Sequence, residues 1–314
     1  MTHTQLMPTQ ISVEPKIANS NFCGEFGEWM WRGWKIRYAY INNPKSPVPV
    51  LLVHGFGGSI RHWRQNISEL SKHHSVYAVD LLGFGASDKP VTPYTIKLWV
   101  EQIHEFWQTF VQVPTVLVGN SIGSLTCLQA AATHPEMVRG VAMISLPDMS
   151  EQNTKSNSLS FLQDKILSVL TSPIVLKPLF FLLRQPRIVK RWASFAYACK
   201  EAVTEELLEI LMTPAREQGA VHAFCAILKS MMSKDFSPCI RSIVTDLKLP
   251  SLLMWGTLDR MIPLSLAHSL LKLNPRLQLV ELENAGHCAH DECPERVNFE
   301  LLYWIRNQVL APAV

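Results

Sequence analysis

The chain has 314 residues, 47% of them hydrophobic and 18% charged, which is enough apolar material for one large α/β domain with an insertion, or two ordinary domains, and excludes disorder over most of its length. A formal net charge of +3, with no basic run interleaved with aromatics, argues against a nucleic-acid partner. The seven cysteines are scattered and contain no C-x-x-C pair, so they indicate neither a metal site nor a disulfide framework, and they fit a reducing, cytoplasmic compartment.

Residues 1–20 are polar, carry Glu14 and Pro15, and lack the charged start and apolar middle of a secretory signal; they read as a loosely packed arm. Strand and helix signals then alternate. Strands are expected at 34–40, 48–53, 76–80, 115–119, 138–145, 251–256 and 278–282, several of them unbroken apolar runs of the kind found in buried parallel sheets. Helices are expected at 60–70, 95–111, 124–134, 264–273 and 295–310, where apolar residues recur at helical spacing. This alternation predicts a mostly parallel sheet with helices on both faces. It stops after Leu146 and resumes near Ser251. The segments between, 166–170, 174–183, 205–212 and 221–232, read as helices separated by Pro173, Pro178, Pro186 and Pro214. A helical cap over 148–246, inserted into a core made of 21–147 and 247–314, is the expected organisation.

The run at 174–183 is interrupted by Lys177 and Pro178 and falls short of the ~20 apolar residues a spanning helix needs. From Lys165 to Lys200 there is no acidic residue, while Lys177, Arg184, Arg187, Lys190 and Arg191 punctuate apolar segments. Such a segment suits peripheral contact with an anionic membrane surface. It equally suits a cap whose apolar faces pack on the core and whose charges are solvated.

The chemistry centres on Gly119-Asn120-Ser121-Ile122-Gly123. It follows the apolar run Thr115, Val116, Leu117, Val118 and precedes a helical stretch, so strand, G-x-S-x-G turn and helix stand in the order of a nucleophile elbow. A serine hydroxyl needs a base, and the base needs an acid to fix its tautomer. In this architecture acid and histidine follow the nucleophile at the ends of later strands. Asp259 occupies such a loop in G-T-L-D-R, and His287 the next in N-A-G-H-C. Asp148, after the strand ending at Ser145, is the rival acid, and His290 the rival base. For the oxyanion hole, the N–H groups of Ile122 and of Phe56, in the turn His54-Gly55-Phe56-Gly57-Gly58, are the candidates. His54 is expected to shape that turn, and His73 and His74 to lie in a solvated one. Substrate contacts are expected at Gly55, Gly57 and Asn120 and, from the cap, at Phe180 and Phe181.

The motifs H-G-F-G-G, G-N-S-I-G, W-G-T-L-D and A-G-H-C, in that order, resemble the α/β-hydrolase family over about residues 29–310. Within it the chain is most similar to the pheophytinase and chlorophyll dephytylase branch of plants and cyanobacteria. That narrower likeness is carried by W-R-G-W-K-I-R-Y from Trp31, H-W-R-Q-N from His62, D-L-L-G-F-G-A-S-D-K-P from Asp80, G-N-S-I-G-S from Gly119 and G-H-C-A-H-D-E-C-P-E from Gly286. One departure is Ser124, where many relatives have a second glycine after the elbow. The resemblance implies an α/β-hydrolase fold with the cap inserted after the sixth strand, no metal or organic cofactor, and hydrolysis of the ester joining phytol to a tetrapyrrole, at a thylakoid membrane or in a plastid stroma. The same triad also serves general carboxylesterases and lipases and carbon–carbon bond hydrolases, although no basic residue flanks Ser121 to hold the carboxylate the last usually require. A ligand-binding module with a vestigial triad is the non-enzymatic alternative.

Overall fold

The structure, a computed structural model, describes residues 24–149, 172–233 and 235–311. Among them one eight-stranded sheet runs in the order β1-β2-β4-β3-β5-β6-β7-β8. Its strands are β1 (Glu25–Trp31), β2 (Trp34–Ile41), β3 (Val50–Val53), β4 (Val76–Val79), β5 (Thr115–Asn120), β6 (Val138–Ile144), β7 (Ser251–Gly256) and β8 (Leu277–Leu282). The β1–β2 and β2–β4 pairs are antiparallel, and every pair from β4 to β8 is parallel.

Seven of these strands match the sequence reading, and β1 does not. Its sequence EFGEWMW has no unbroken apolar run, and its hairpin turns on Arg32-Gly33 where the strongest turn signal would be Asn-Gly or Asp-Gly. Both turn residues take positive φ, 51° and 85°, which matches the twist of the flanking strands. Trp29 of β1 anchors the edge by packing edge-on against Phe106 and Phe110.

Strand pleating divides the core in two. Leu51 and Val53 of β3 join the cluster under α2 (Ile96–Phe106) and α3 (Ile122–Thr133), whereas Val50 and Leu52 join the one under α1 (Arg64–Leu70) and the C-terminal helix Pro294–Trp304. The α3 helix is buried over most of its length, which fits its apolar, small-residue sequence IGSLTCLQAAAT. Parallel pairing aligns Val53 with Gly119, Asn120 with Ile144 and Gly256 with Leu282. The loops that follow β3, β5, β7 and β8 therefore leave the sheet along its carboxyl edge, where ligands of open α/β sheets bind.

Between β6 and β7 lie α4 (Pro173–Leu183), α5 (Pro186–Ala196), α6 (Glu205–Arg216), α7 (Ala220–Met231) and α8 (Ile240–Asp246). The helix expected at 166–170 falls outside the described residues, and α5 and α8 are additional to the sequence reading. The prolines divide into two kinds. Pro173 and Pro186 are first helical residues, where the missing N–H costs nothing, but Pro178 and Pro214 sit inside α4 and α6 and do not separate helices. Ile227, Ile240 and Val244 pack into the α3 side of the core, while α5 and α6 build a smaller cluster around Tyr197 and Leu207.

Candidate active site

Ser121 sits between β5 and α3 with φ 54° and ψ −120°, a conformation side chains avoid and which the fold must hold in place. Its N–H donates to the Ile144 carbonyl of β6 at 2.9 Å. The elbow glycines are required by close approach: a Cβ on Gly123 would stand 2.2 Å from the Val53 oxygen, and one on Gly119 would meet the Gly123 backbone at 2.4 Å. Ser124, the departure noted above, has a positive role. Its hydroxyl lies 2.7 Å from the Gly119 carbonyl and 2.9 Å from that of Ile144, sharing one proton across the base of the elbow.

The turn after β3 comes up against this elbow. A Cβ on Gly55 would lie 2.7 Å from Asn120 Oδ1 and 3.2 Å from Ser121 Cβ, so a side chain there would crowd Ser121. His54 is wholly buried. It donates from Nδ1 to the Gly55 carbonyl (2.7 Å) and accepts the Leu81 N–H on Nε2 (3.0 Å), which fixes its tautomer, and burial lowers its pKa to about 4. It is a structural strut of the turn, as the sequence implied. Among the described residues, no protein acceptor takes the N–H of Phe56 or of Ile122. Ile122 is moreover the first residue of α3, where backbone donors and the helix dipole favour negative charge. Gly57 takes φ 69° to close the turn.

Asp259 and His287 meet across the ends of β7 and β8. His287 Nδ1 donates to Asp259 Oδ2 at 2.9 Å, and the N–H groups of Met261 and Ile262 donate to Oδ1 at 2.8 and 2.9 Å. Burial alone would raise the Asp259 carboxyl, but the hydrogen bond and charge of His287, with the Ile262 N–H, hold it below the ordinary value. Asn120 Nδ2 donates to the His287 carbonyl at 3.1 Å and joins the elbow to the histidine loop. Asn120, expected as a substrate contact, is buried at the base of this junction.

The rivals are engaged elsewhere. Asp148 pairs with Arg241 Nε at 3.0 Å, and His290 lies buried against the Trp63 ring with a centroid separation of 4.1 Å. His74, expected in a solvated turn, is buried and bonded through Nδ1 to the Val48 carbonyl, because the turn folds back under β3. Phe180, expected as a substrate contact, is buried against Phe224, while Phe181 is exposed beneath the Arg184 guanidinium.

A family model described as "Alpha/beta hydrolase family" matches residues 50–300. The chain belongs to the α/β-hydrolase family. Among curated relatives of this α/β-hydrolase, the chloroplastic pheophytinase of Arabidopsis thaliana is 24% identical over 87% of this chain and 65% of its own length. Lipase 1 of Psychrobacter immobilis is 26% identical over 81% of this chain and 75% of its own. The 2-hydroxy-6-oxo-2,4-heptadienoate hydrolase of Pseudomonas putida is 27% identical over 77% and 82%. The chain spans just under two thirds of the length of the plant relative. Of solved structures, a bacterial membrane phospholipase A superposes with a TM-score of 0.73 at 25% identity, covering 92% of this chain and 87% of its own.

The α/β-hydrolase framework also explains the motif G-H-C-A-H-D-E, which sequence reasoning used only as a likeness. The His287 N–H donates to the carbonyl of Ala196, at the end of α5, at 2.7 Å. Glu292 accepts from the N–H groups of Gly286 (2.7 Å) and Cys199. Tyr197 is fully buried; its hydroxyl donates to Asp291 Oδ2 at 2.7 Å and accepts from His62 Nε2 at 2.9 Å, while Arg64 pairs with the other Asp291 oxygen. The segment after α5 is therefore fastened to the loop that carries His287. The sequence signal for this was the acidic pair Asp291-Glu292, four residues after His287.

Among the described residues one group has metal-ligand geometry: His104, His134 and Glu136, with ligand atoms within 4.8 Å of one another. It lies at the far end of α3 from Ser121, remote from the elbow.

Proposed function

We propose that this α/β-hydrolase cleaves carboxylic esters of hydrophobic alcohols through Ser121, His287 and Asp259, and that its preferred substrate is the phytyl ester of chlorophyll or pheophytin. The observation that carries the catalytic part is the buried Asp259–His287 hydrogen bond, tied by Asn120 to a strained serine elbow. With Nδ1–H committed to Asp259, the lone pair of His287 is on Nε2, the nitrogen able to take the Ser121 proton as the hydroxyl attacks the ester carbonyl. The developing oxyanion is met by the N–H groups of Phe56 and Ile122. His287 then gives its proton to the departing alcohol, and water, activated by the same imidazole, releases the acid and restores Ser121. No metal or organic cofactor enters these steps.

The phytyl ester is supported by the likeness to the chloroplastic pheophytinase and by the motif Gly286–Glu295, here a structural unit. This reading puts the enzyme with its pigments, at a thylakoid membrane or in a plastid stroma, and makes the inserted helices a lid for a greasy alcohol. The lipase relative supports acyl lipids as the second reading. The test is product analysis of wild type and Ser121→Ala with detergent-dispersed chlorophyll, pheophytin and short- and long-chain acyl esters. Serine-dependent release of phytol is expected, with activity in Ser121→Ala down by about a thousandfold or more. Turnover of acyl esters alone would exclude the phytyl reading, and no turnover at all, with no labelling of Ser121 by a fluorophosphonate, would leave a binding module.

A further inference from the structure

The α4 helix presents apolar side chains on both of its faces. Leu176 and Phe180 are buried, Phe180 against Phe224 of α7, as expected of an amphipathic helix packed on its neighbours. The opposite face carries Ile174, Val175, Pro178, Leu179 and Leu182, spaced as i, i+1, i+4, i+5 and i+8, which brings them to one side of the helix. Ile174 is 85% exposed and Leu182 57%. A helix apolar on two opposite faces, here with Lys177 as its one charge, buries both of them in a protein core or against lipid, and the outer face of α4 is exposed. On α5, which follows α4 after two intervening residues, Trp192 is 56% exposed and packs edge-on against Phe195.

The charge around this face is of one sign. Lys177, Arg184, Arg187, Lys190 and Arg191 lie on α4, on α5 or between them, and these helices carry no acidic residue. Lys190 reaches Glu205 at 3.4 Å, both exposed, whereas among the described residues Arg187 and Arg191 enter no ion pair. The exposed side of α5 thus sets basic side chains beside Trp192 and Phe195. Leu, Ile and Trp that enter the acyl boundary, framed by Lys and Arg that meet phosphate headgroups, are the composition of a helix lying in a bilayer interface. No helix of the described residues is long and apolar enough to cross a membrane.

We infer that the α4–α5 hairpin is a docking surface for an anionic lipid bilayer, with the outer face of α4 inserted among the acyl chains and Arg187 and Arg191 at the headgroups. The inference does not rest on the phytyl reading, because binding is measured without catalysis. It also places the lipid next to the chemistry: α5 ends at Ala196, whose carbonyl holds the His287 N–H.

The test is flotation of purified protein with vesicles rich in phosphatidylglycerol and, in parallel, with phosphatidylcholine vesicles. Wild type should float with the anionic vesicles and lose binding as salt rises. Ile174→Ser with Leu182→Ser, and separately Arg187→Gln with Arg191→Gln, should each lower partitioning roughly tenfold or more, with unchanged thermal melting as the control for folding. Wild type that stays unbound overturns the inference; sedimentation as a dimer that these substitutions dissociate would then assign the face to a second copy. Equal binding by wild type and both variants overturns it as well, because the membrane contact would lie elsewhere.

Discussion

At the residue scale, Asp148 and Asp259 each follow a strand near the site, and hydrogen bonding separates them. Loop position in the sequence favours Asp259 with Asp148 as its rival, and the two differ in partner: Arg241 for Asp148, His287 for Asp259. Asp259→Asn keeps the volume but cannot hold the same imidazole tautomer or stabilise its charged form. We expect kcat to fall by about 10⁴ with an unchanged fold. Asp148→Asn should leave kcat within a few-fold of wild type and reduce stability instead, which steady-state kinetics and urea unfolding of the two variants will distinguish. The same scale explains Ser124, whose hydroxyl does work a glycine would not. Sequence marked it as a departure because hydrogen-bond geometry is not visible in a one-dimensional pattern.

At the element scale, the point of interest is the joint between α5 and the histidine loop. Tyr197 makes two hydrogen bonds in a buried setting, to Asp291 and His62, and has its hydroxyl pKa pushed well above the usual value by burial, so it acts as a fixed donor and acceptor. Tyr197→Phe keeps the ring and removes both bonds, leaving a buried carboxylate oxygen and a buried imidazole N–H without their partner. A loss of about 1–3 kcal/mol is expected in denaturant unfolding. Because this loop bears His287, kcat should fall while KM is held; a variant with wild-type kcat would show that the joint is merely structural. None of this was legible from periodicity: α5 was missed because its mix of basic and aromatic residues reads as surface, and Pro186 as a break, when it is the first residue of the helix.

For the whole molecule, buried histidines set the response to acid. His54 titrates near 4, His62 and His74 are lowered by burial, and His290 lies well below its ordinary value for the same reason. An unfolded chain protonates these groups near 6.5, so below that pH it takes up protons the native state refuses, and stability falls as the pH drops toward 4. His54 alone contributes a loss of about 3 kcal/mol over that window. Asp80 acts in the opposite sense. Burial raises it to about 6, so as pH falls through 6 the native state takes its proton before the unfolded chain does, and this one group offsets part of the loss from four. The melting temperature should therefore decline from pH 7 to pH 5. His290→Phe, which keeps a ring against Trp63 and removes two nitrogens that lack partners, should make that decline shallower; an equal slope in both proteins would refute the assignment.

The sequence by itself determined the alternation of seven strands with helices, the elbow at Ser121 and the order of acid and base. These are local facts, written in runs of apolar residues and in glycines that no other residue can replace where backbones touch. The tertiary structure decided what depends on residues far apart in the chain. It added β1, which is held by a hairpin turn and by aromatic packing against a distant helix, and it set Asp259 against His287 and Asp148 against Arg241. It also turned Asp291 and Glu292 from motif letters into the fastening between α5 and the histidine loop. Hydrogen-bond partners and exposed faces exist only once distant segments meet, and no periodicity in a single segment encodes them.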